Sequence, residues 1–384
     1  MTVVDVDTHW EVSDLTPEDH PLGPWLDLIP SGVEGLSWAI AGDLLRSLPD
    51  DRRPDGSTML PGLVRRARDN EGPIILHPPH VSTVTERMDW MDSVGIDHCL
   101  VNPGSYCLTG LEHVVEDRAL GAARCNDFLA DQLADRADRL HGVAVVDLSD
   151  VRGAAAELER ARMRGHRAFF LYTVNGRPPG NVPPGHPDWD HVWSAATDLG
   201  MLAVIHVGHT AADFSGWADI GWDGPGGAGI AGLNRLANTQ RTHVAQNIII
   251  SLLFGGAFAR HPTLTVVLEE MKIGWLPWFV RETSRQAANR LVTDWPWDRS
   301  GEEMLHQNVK VTPLPGLGDV DAIEVVAALP SMCAFSSDYP HLEGNVEPIQ
   351  LYGEGLDSLG VDVRRRFLGG NIIDSFAMMG DPLV

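Results

Sequence analysis

Cysteine is scarce in this chain. Its four cysteines, Cys99, Cys107, Cys125 and Cys333, form no Cys-x-x-Cys pair. That excludes a disulfide framework, an iron–sulfur cluster and a zinc–thiolate site. Basic residues are few as well, with 29 Lys and Arg against 53 Asp and Glu, for a net charge of −24. Binding nucleic-acid phosphates needs Lys and Arg gathered on one face, and anionic membranes are likewise held by basic segments, so both partners are excluded. Long apolar runs are missing too. The stretch Ile248-Ile-Ile-Ser-Leu-Leu-Phe254 falls well short of the ~18 residues of a membrane span. No early Gly-x-Gly-x-x-Gly turn marks a dinucleotide fold, and the glycine-rich stretch 221–232 lacks the Gly-Lys-Ser/Thr of a phosphate cradle. The opening Met1-Thr-Val-Val-Asp5 reads as a strand rather than a leader, which makes a soluble cytoplasmic protein the expectation.

What is present is ample apolar material, 43% of the chain, in an alternating pattern. Eight short runs predict strands, over residues 3–9, 98–102, 143–147, 168–172, 202–206, 264–270, 309–312 and 332–338. Most are near-continuously apolar, as strands covered on both faces are. Helical spacing recurs over 83–94, 126–138, 153–164, 189–199, 234–258, 276–291, 320–328 and 362–378. The α/β pattern predicts a distorted (β/α)8 TIM barrel forming a single domain over 1–384; a doubly wound open sheet is the alternative. Residues 10–82, rich in Pro and Gly, exceed a bare barrel and are expected as a cap insertion after strand 1. Residues 208–232 are expected as a Gly-rich lid after strand 5. Loops of this length are either functional or plain surface.

In a barrel the chemistry lies at the carboxyl ends of the strands. The first strand ends Asp5-Val-Asp7-Thr-His9-Trp-Glu11, and a period of two sets Asp5, Asp7, His9 and, if the strand continues, Glu11 on the inward face. The fifth ends Ile205-His206-Val-Gly-His209, the sixth Glu269-Glu270, and the eighth Phe335-Ser-Ser-Asp338-Tyr-Pro-His341. One such residue is more often a satisfied polar group than a ligand. Four strands ending this way point to a metal site, and imidazole with carboxylate suits Zn, Mn, Fe or Co.

With Asp7-x-His9, His206 and Asp338 in Ser336-Ser-Asp-Tyr-Pro-His, the chain resembles the amidohydrolase superfamily, and within it the amidohydrolase-2 (aminocarboxymuconate-semialdehyde decarboxylase-like) family. The resemblance extends through Arg87-Met-Asp-Trp-Met-Asp, Cys125-Asn-Asp-Phe-Leu129, His186-Pro-Asp-Trp189, Phe254-Gly-Gly-Ala-Phe258, Gly274-Trp-Leu-Pro277 and Gly369-Gly-Asn371. It implies a metal-binding TIM barrel with Asp7, His9, His206 and Asp338 as ligands and Glu270 as proton carrier. The opening Asp-x-Asp-x-His with Glu11 and the Tyr-Pro-His after Asp338 are closer to a branch of dinuclear non-haem iron or manganese hydroxylases.

Glu11, His209 and His341 are therefore surplus ligand candidates. Glu11 either ligates, turns outward, or accepts from a ligating imidazole. His209 ligates or lines the pocket, and His341 ligates, carries a proton with Glu270, or caps the turn at Pro340. Asp5 is expected below the site. Trp10, Lys272 and Trp222 are expected to meet substrate, Lys272 alternatively pairing with Glu269. Two functions follow. The favoured expectation is a dinuclear Fe or Fe/Mn monooxygenase that hydroxylates a small carboxylate, using O2 and an external electron donor. The alternative is a decarboxylase or hydrolase with one Zn or Mn. A homodimer or a pair with a homologous subunit is expected, with Trp295 and Trp297 either at that interface or packed in the outer layer.

Overall fold

Seven of the apolar runs form parallel strands in one sheet, in sequence order: β1 (Val4–Trp10), β2 (His98–Pro103), β3 (Leu140–Ala144), β4 (Ala168–Phe170), β5 (Leu202–His206), β6 (Val266–Glu269) and β7 (Val309–Val311). The computed structural model describes residues 1–12, 15–28, 83–104, 107, 110–111, 114–173, 176–207, 239–240, 242–291, 294–314, 319, 322–341, 344–345 and 347–383. The segment 208–232, expected as a lid, lies outside these residues, as does 29–82 of the expected cap. The crossovers are helical: α1 (Val84–Val94), α2 (Arg118–Leu133), α3 (Val151–Met163), α4 (Asp190–Asp198), α5 (Thr242–Phe254), α6 (Ala257–Arg260), α7 (Leu276–Ala287), α8 (Gly301–Asn308), α9 (Ala322–Ala328), α10 (Pro348–Ser358), α11 (Val361–Arg365) and α12 (Asn371–Met378). Every strand residue except His98 is buried, as expected of a parallel sheet wrapped by helices.

The eighth run closes the barrel without becoming a regular strand. On one side Val311 N–H donates to Met332 O at 2.8 Å, and Ala334 N–H to Val311 O at 3.0 Å. On the other, Val6 N–H donates to Phe335 O at 3.2 Å, Asp338 N–H to Asp7 O at 2.8 Å and His9 N–H to Tyr339 O at 2.8 Å. The ladder breaks because the Asp5 carboxylate accepts the Ser337 N–H at 2.9 Å and because Asp338 adopts φ 53°.

Two further departures from the sequence pattern have local causes. β3 ends at Ala144 because Asn126 of α2 accepts the Val145 N–H at 2.8 Å and donates to the Val145 carbonyl at 2.8 Å. The helix expected over 234–258 is divided at Gly256, whose φ of 79° is left-handed backbone that glycine adopts at little cost.

Asn371 anchors the eighth segment, donating from Nδ2 to the carbonyls of Pro330 and Cys333, both at 2.7 Å. Asn371→Ala strands two carbonyls and should cost about 1–3 kcal/mol. Urea denaturation of the two proteins checks this; an unchanged midpoint would show that Asn371 does not hold the closure.

Candidate metal centre

Alternation along β1 turns Asp7 and His9 into the barrel, and closure brings Asp338 and His341 beside them. His206 ends β5, and Glu270 directly follows β6. The described residues include four non-glycine positions with positive φ: Asn181, Glu270 (55°), Lys272 (56°) and Asp338 (53°). Three of the four stand at this rim, in a conformation that L-residues keep only where the surroundings enforce it. The turn at Glu270 lets consecutive glutamates serve two layers. Glu269 is fully buried, accepting from Asn102 Nδ2 at 3.0 Å, while Glu270 reaches the mouth.

Two donor groups result, Asp7–His9–His206–Glu270 and His9–Glu270–Asp338–His341, each with its ligand atoms within 4.8 Å of one another. His9 Nε2 lies 3.2 Å from Asp7 Oδ1, 3.4 Å from Asp338 Oδ1 and 3.7 Å from Glu270 Oε1. His206 Nε2 lies 3.4 Å from Glu270 Oε1. Its Nδ1 sits 2.6 Å from the Val207 carbonyl, a contact that places the ring proton there and leaves Nε2 to face the cluster. His341 Nδ1 is 3.1 Å from Asp338 Oδ1 and 3.6 Å from Glu270 Oε1.

The structure places the surplus candidates differently from one another. Glu11 falls outside both donor groups and stands behind His341, its Oε1 3.1 Å from Nε2. Gly104 makes room for it, since a Cβ there would lie 2.4 Å from Glu11 Oε2. His209 and Trp222 lie outside the described residues. The Trp10 ring, expected at the substrate, is fully buried and lies 5.7 Å from the Arg87 guanidinium carbon. Lys272 joins neither donor group. No ion pair with Glu269 forms among the described residues; Glu269 is held by Asn102.

Two residues beside the centre were not among the expected site residues. Asn102, the last residue but one of β2, donates from Nδ2 to Asp7 Oδ1 at 2.9 Å as well as to Glu269. A polar residue closing the apolar run Cys99-Leu-Val was its signal. Arg87 of α1 is fully buried. It donates to the His9 carbonyl and lies among the rings of Trp10, Trp90 and Tyr339. Its place at the head of the Arg87-Met-Asp-Trp-Met-Asp motif, a cation beside Met88 and Met91, was its signal.

The amidohydrolase family model matches residues 104–376. An amidohydrolase from Mycobacterium avium subsp. paratuberculosis is 20% identical with a TM-score of 0.64, covering 98% of this chain and 99% of that chain. The 5-carboxyvanillate decarboxylase of Sphingomonas paucimobilis is 19% identical, with a TM-score of 0.56 and the same coverage. A dihydroxybenzoic acid decarboxylase from Polaromonas, solved with bound manganese and 2-nitroresorcinol, is 16% identical with a TM-score of 0.55, covering 98% of this chain and 97% of that chain. These likenesses establish the TIM-barrel fold.

The donor set fits a divalent cation. Asp7 Oδ2 and Asp338 Oδ2 are buried without a hydrogen-bond donor, Asp338 Oδ1 meets the His9 and His341 imidazoles, and uncompensated buried carboxylates are costly. In the metal-free protein the imidazoles provide the compensation. Burial disfavours their charged forms, but Glu270 and Asp7 raise His206, and Asp338, Glu11 and Glu270 raise His341, both well above the usual 6.5. Burial and the neighbouring Glu270 charge drive Asp338 upward, and burial pushes Asp5 up to about 7. Burial also opposes the charge on Glu270, but His206, His341 and His9 outweigh it and hold that carboxyl low.

Groups raised on folding stabilise below their unfolded values and lose that contribution as pH rises through the folded ones. The metal-free protein should therefore lose thermal stability as pH rises above about 6.5 and through the raised His206 and His341 values. A ligating His206 must be neutral, so metal affinity should rise over the same window. Melting curves of chelated and Mn-loaded protein across pH check this, and parallel pH profiles would refute it.

Proposed function

The chain belongs to the amidohydrolase family, and on that premise we propose that it is a metal-dependent enzyme catalysing a non-oxidative decarboxylation. The observation that carries this reading is the placement of His341. The group Asp7, His9, His206 and Glu270 is a complete donor set without it. His341 is held between Glu11 and Asp338, at 3.1 Å from each, and its side chain is 12% exposed against 6% or less for the five other donor residues.

A divalent cation in that donor set supplies Lewis-acid stabilisation of negative charge on a substrate oxygen. The chain's own residues do the rest. Asn102 fixes the Asp7 carboxylate, and the Val207 carbonyl fixes the His206 tautomer. Glu11 holds the His341 ring with Nδ1 toward Asp338 and Glu270. When CO2 departs, the electron pair left on carbon needs a proton, and His341, kept protonated by its carboxylate neighbours, delivers it. Base chemistry at His341 on a water would give hydrolysis instead. The named decarboxylases of the same fold support the first outcome.

The second donor group favours a different reading, a dinuclear Fe or Fe/Mn monooxygenase. Its His9, Glu270, Asp338 and His341 share two residues with the first group, which suits two neighbouring ions. That reaction would need O2 and an external electron donor, and it would make His341 a ligand rather than a proton carrier.

Elemental analysis of protein purified without chelator separates the two. One Mn or Zn per chain, with CO2 released from 5-carboxyvanillate or 2,6-dihydroxybenzoate and no O2 uptake, is the expected result. Two Fe or Mn per chain with substrate-dependent O2 uptake would overturn it. His206→Ala should abolish metal binding and turnover. His341→Asn should keep the metal and lower kcat by about 100-fold or more; losing one of two metals would instead support the dinuclear centre.

A further inference from the structure

Trp10 directly follows the donor His9, and Tyr339 directly follows the donor Asp338. One turn of α1 touches both rings. Arg87 and Trp90, three residues apart on that helix, share a face. The Arg87 guanidinium carbon lies 5.7 Å from the Trp10 ring centroid, 5.1 Å from that of Tyr339 and 5.7 Å from that of Trp90. Trp90 in turn stacks on Tyr339, with centroids 3.8 Å apart and planes 9° from parallel. The guanidinium also donates to the His9 carbonyl. α1 therefore grips the end of β1 and the closing segment at once, in each case at or beside a residue of the second donor group.

Arg87 is fully buried, and its Nε and Nη1 reach no oxygen acceptor among the described residues. Burial pushes its pKa below the usual guanidinium value. Arg160, Arg162, Arg164, Arg167 and Arg260 all pair with carboxylates; Arg87 meets a backbone carbonyl and aromatic rings instead. A buried cation without a carboxylate is costly, and apolar residues of similar volume often replace such groups without loss of stability. Filling space is therefore a poor reason for an arginine here. A planar guanidinium can lie against rings and still donate from its edge, which an apolar chain cannot do and a lysine does only in part.

We propose that Arg87 is a positioning residue of the metal centre: the planar fork fixes the end of β1 against the closing segment and so sets the 3.4 Å approach of His9 Nε2 to Asp338 Oδ1. Arg87 belongs to neither donor group and acts through the His9 backbone and the Tyr339 ring. This rests on the reading of the donor groups as a metal site. His9 is common to both groups, so loss of Arg87 should weaken metal binding whichever group holds the ion.

Arg87→Met and Arg87→Lys are compared with wild type and with Leu158→Ala, a truncation of a buried α3 residue outside the donor groups. Mn(II) affinity and the Mn(II) electron paramagnetic resonance spectrum report the loaded site. Hydrogen exchange of metal-free protein reports the His9 and Asp338 amides, which bond the Tyr339 and Asp7 carbonyls across the closure, with β4 and β5 as reference. Arg87→Met should bind Mn(II) about 10- to 100-fold more weakly, alter the spectrum, and speed exchange selectively at those two amides. Arg87→Lys keeps the charge without the fork and should recover affinity only in part. Leu158→Ala should lower the melting temperature and leave affinity and spectrum unchanged. Wild-type affinity and spectrum in Arg87→Met overturn the proposal, as does an equal loss in Leu158→Ala, which would make lowered stability the cause. Full recovery in Arg87→Lys would assign the role to charge and also overturn it. If wild type binds no metal, the metal-site reading falls, and selective exchange at His9 and Asp338 alone decides whether Arg87 holds the two segments. Should Arg87→Met fail to fold, Arg87→Lys decides by the same readouts.

Discussion

Four carboxylates, from Asp7, Glu11, Glu270 and Asp338, and three imidazoles, from His9, His206 and His341, share one nearly dry end of a barrel. Like charges at such distances are tolerated only if cations stand among them. The molecule has two means of supplying them, protons on His206 and His341 or a divalent metal between the donor atoms. The two are mutually exclusive at a ligating nitrogen. A metal entering the charge cluster would therefore displace protons from it, and the surroundings serve to keep the repelling groups from separating.

The restraints run largely through β1. The carbonyl of Asp7 accepts from Asp338 N–H, and the N–H of His9 donates to the Tyr339 carbonyl, so the hydrogen bonds that close the barrel also set the spacing of the ligand-bearing residues. Arg87 bonds the His9 carbonyl from below; it is a buried cation that meets the acidic end through backbone rather than through an ion pair. The left-handed residues Glu270 and Asp338 are stable only because these bonds over-determine them. Barrel closure and site geometry are one set of interactions, and loosening the eighth segment would loosen the donor groups with it.

Much of this was legible in the sequence because both signals are periodic. Apolar runs gave seven strands near their observed positions, and the His and acid residues at four run ends fell together as the barrel register requires. What escaped was aperiodic. The run 332–338 reads like a strand, yet Asp5 and the φ of Asp338 convert it into a closing segment by contacts that no local pattern records. β3 stops early because of a side chain on a helix before it. The roles of Glu11 and His341 could not be ranked from spacing, since which of them faces the cluster depends on a ring orientation fixed across the barrel closure. Arg87 and Asn102 each appear once, without a period, and their meaning comes only from what folds over them.

The barrel mouth divides its labour by arc. β1, β5, the residue after β6 and the closing segment carry every residue of the two donor groups. β2, β3 and β4 contribute none; their ends bring Asn102, Val145, Phe170 and Tyr172, of which Asn102 donates to Asp7 and Phe170 packs edge-on against His206. A cation held on one arc would therefore have apolar and aromatic side chains on the other, Phe170 among them, buried against His206. His206 is the seam: its Nε2 faces Glu270 while its ring edge meets Phe170.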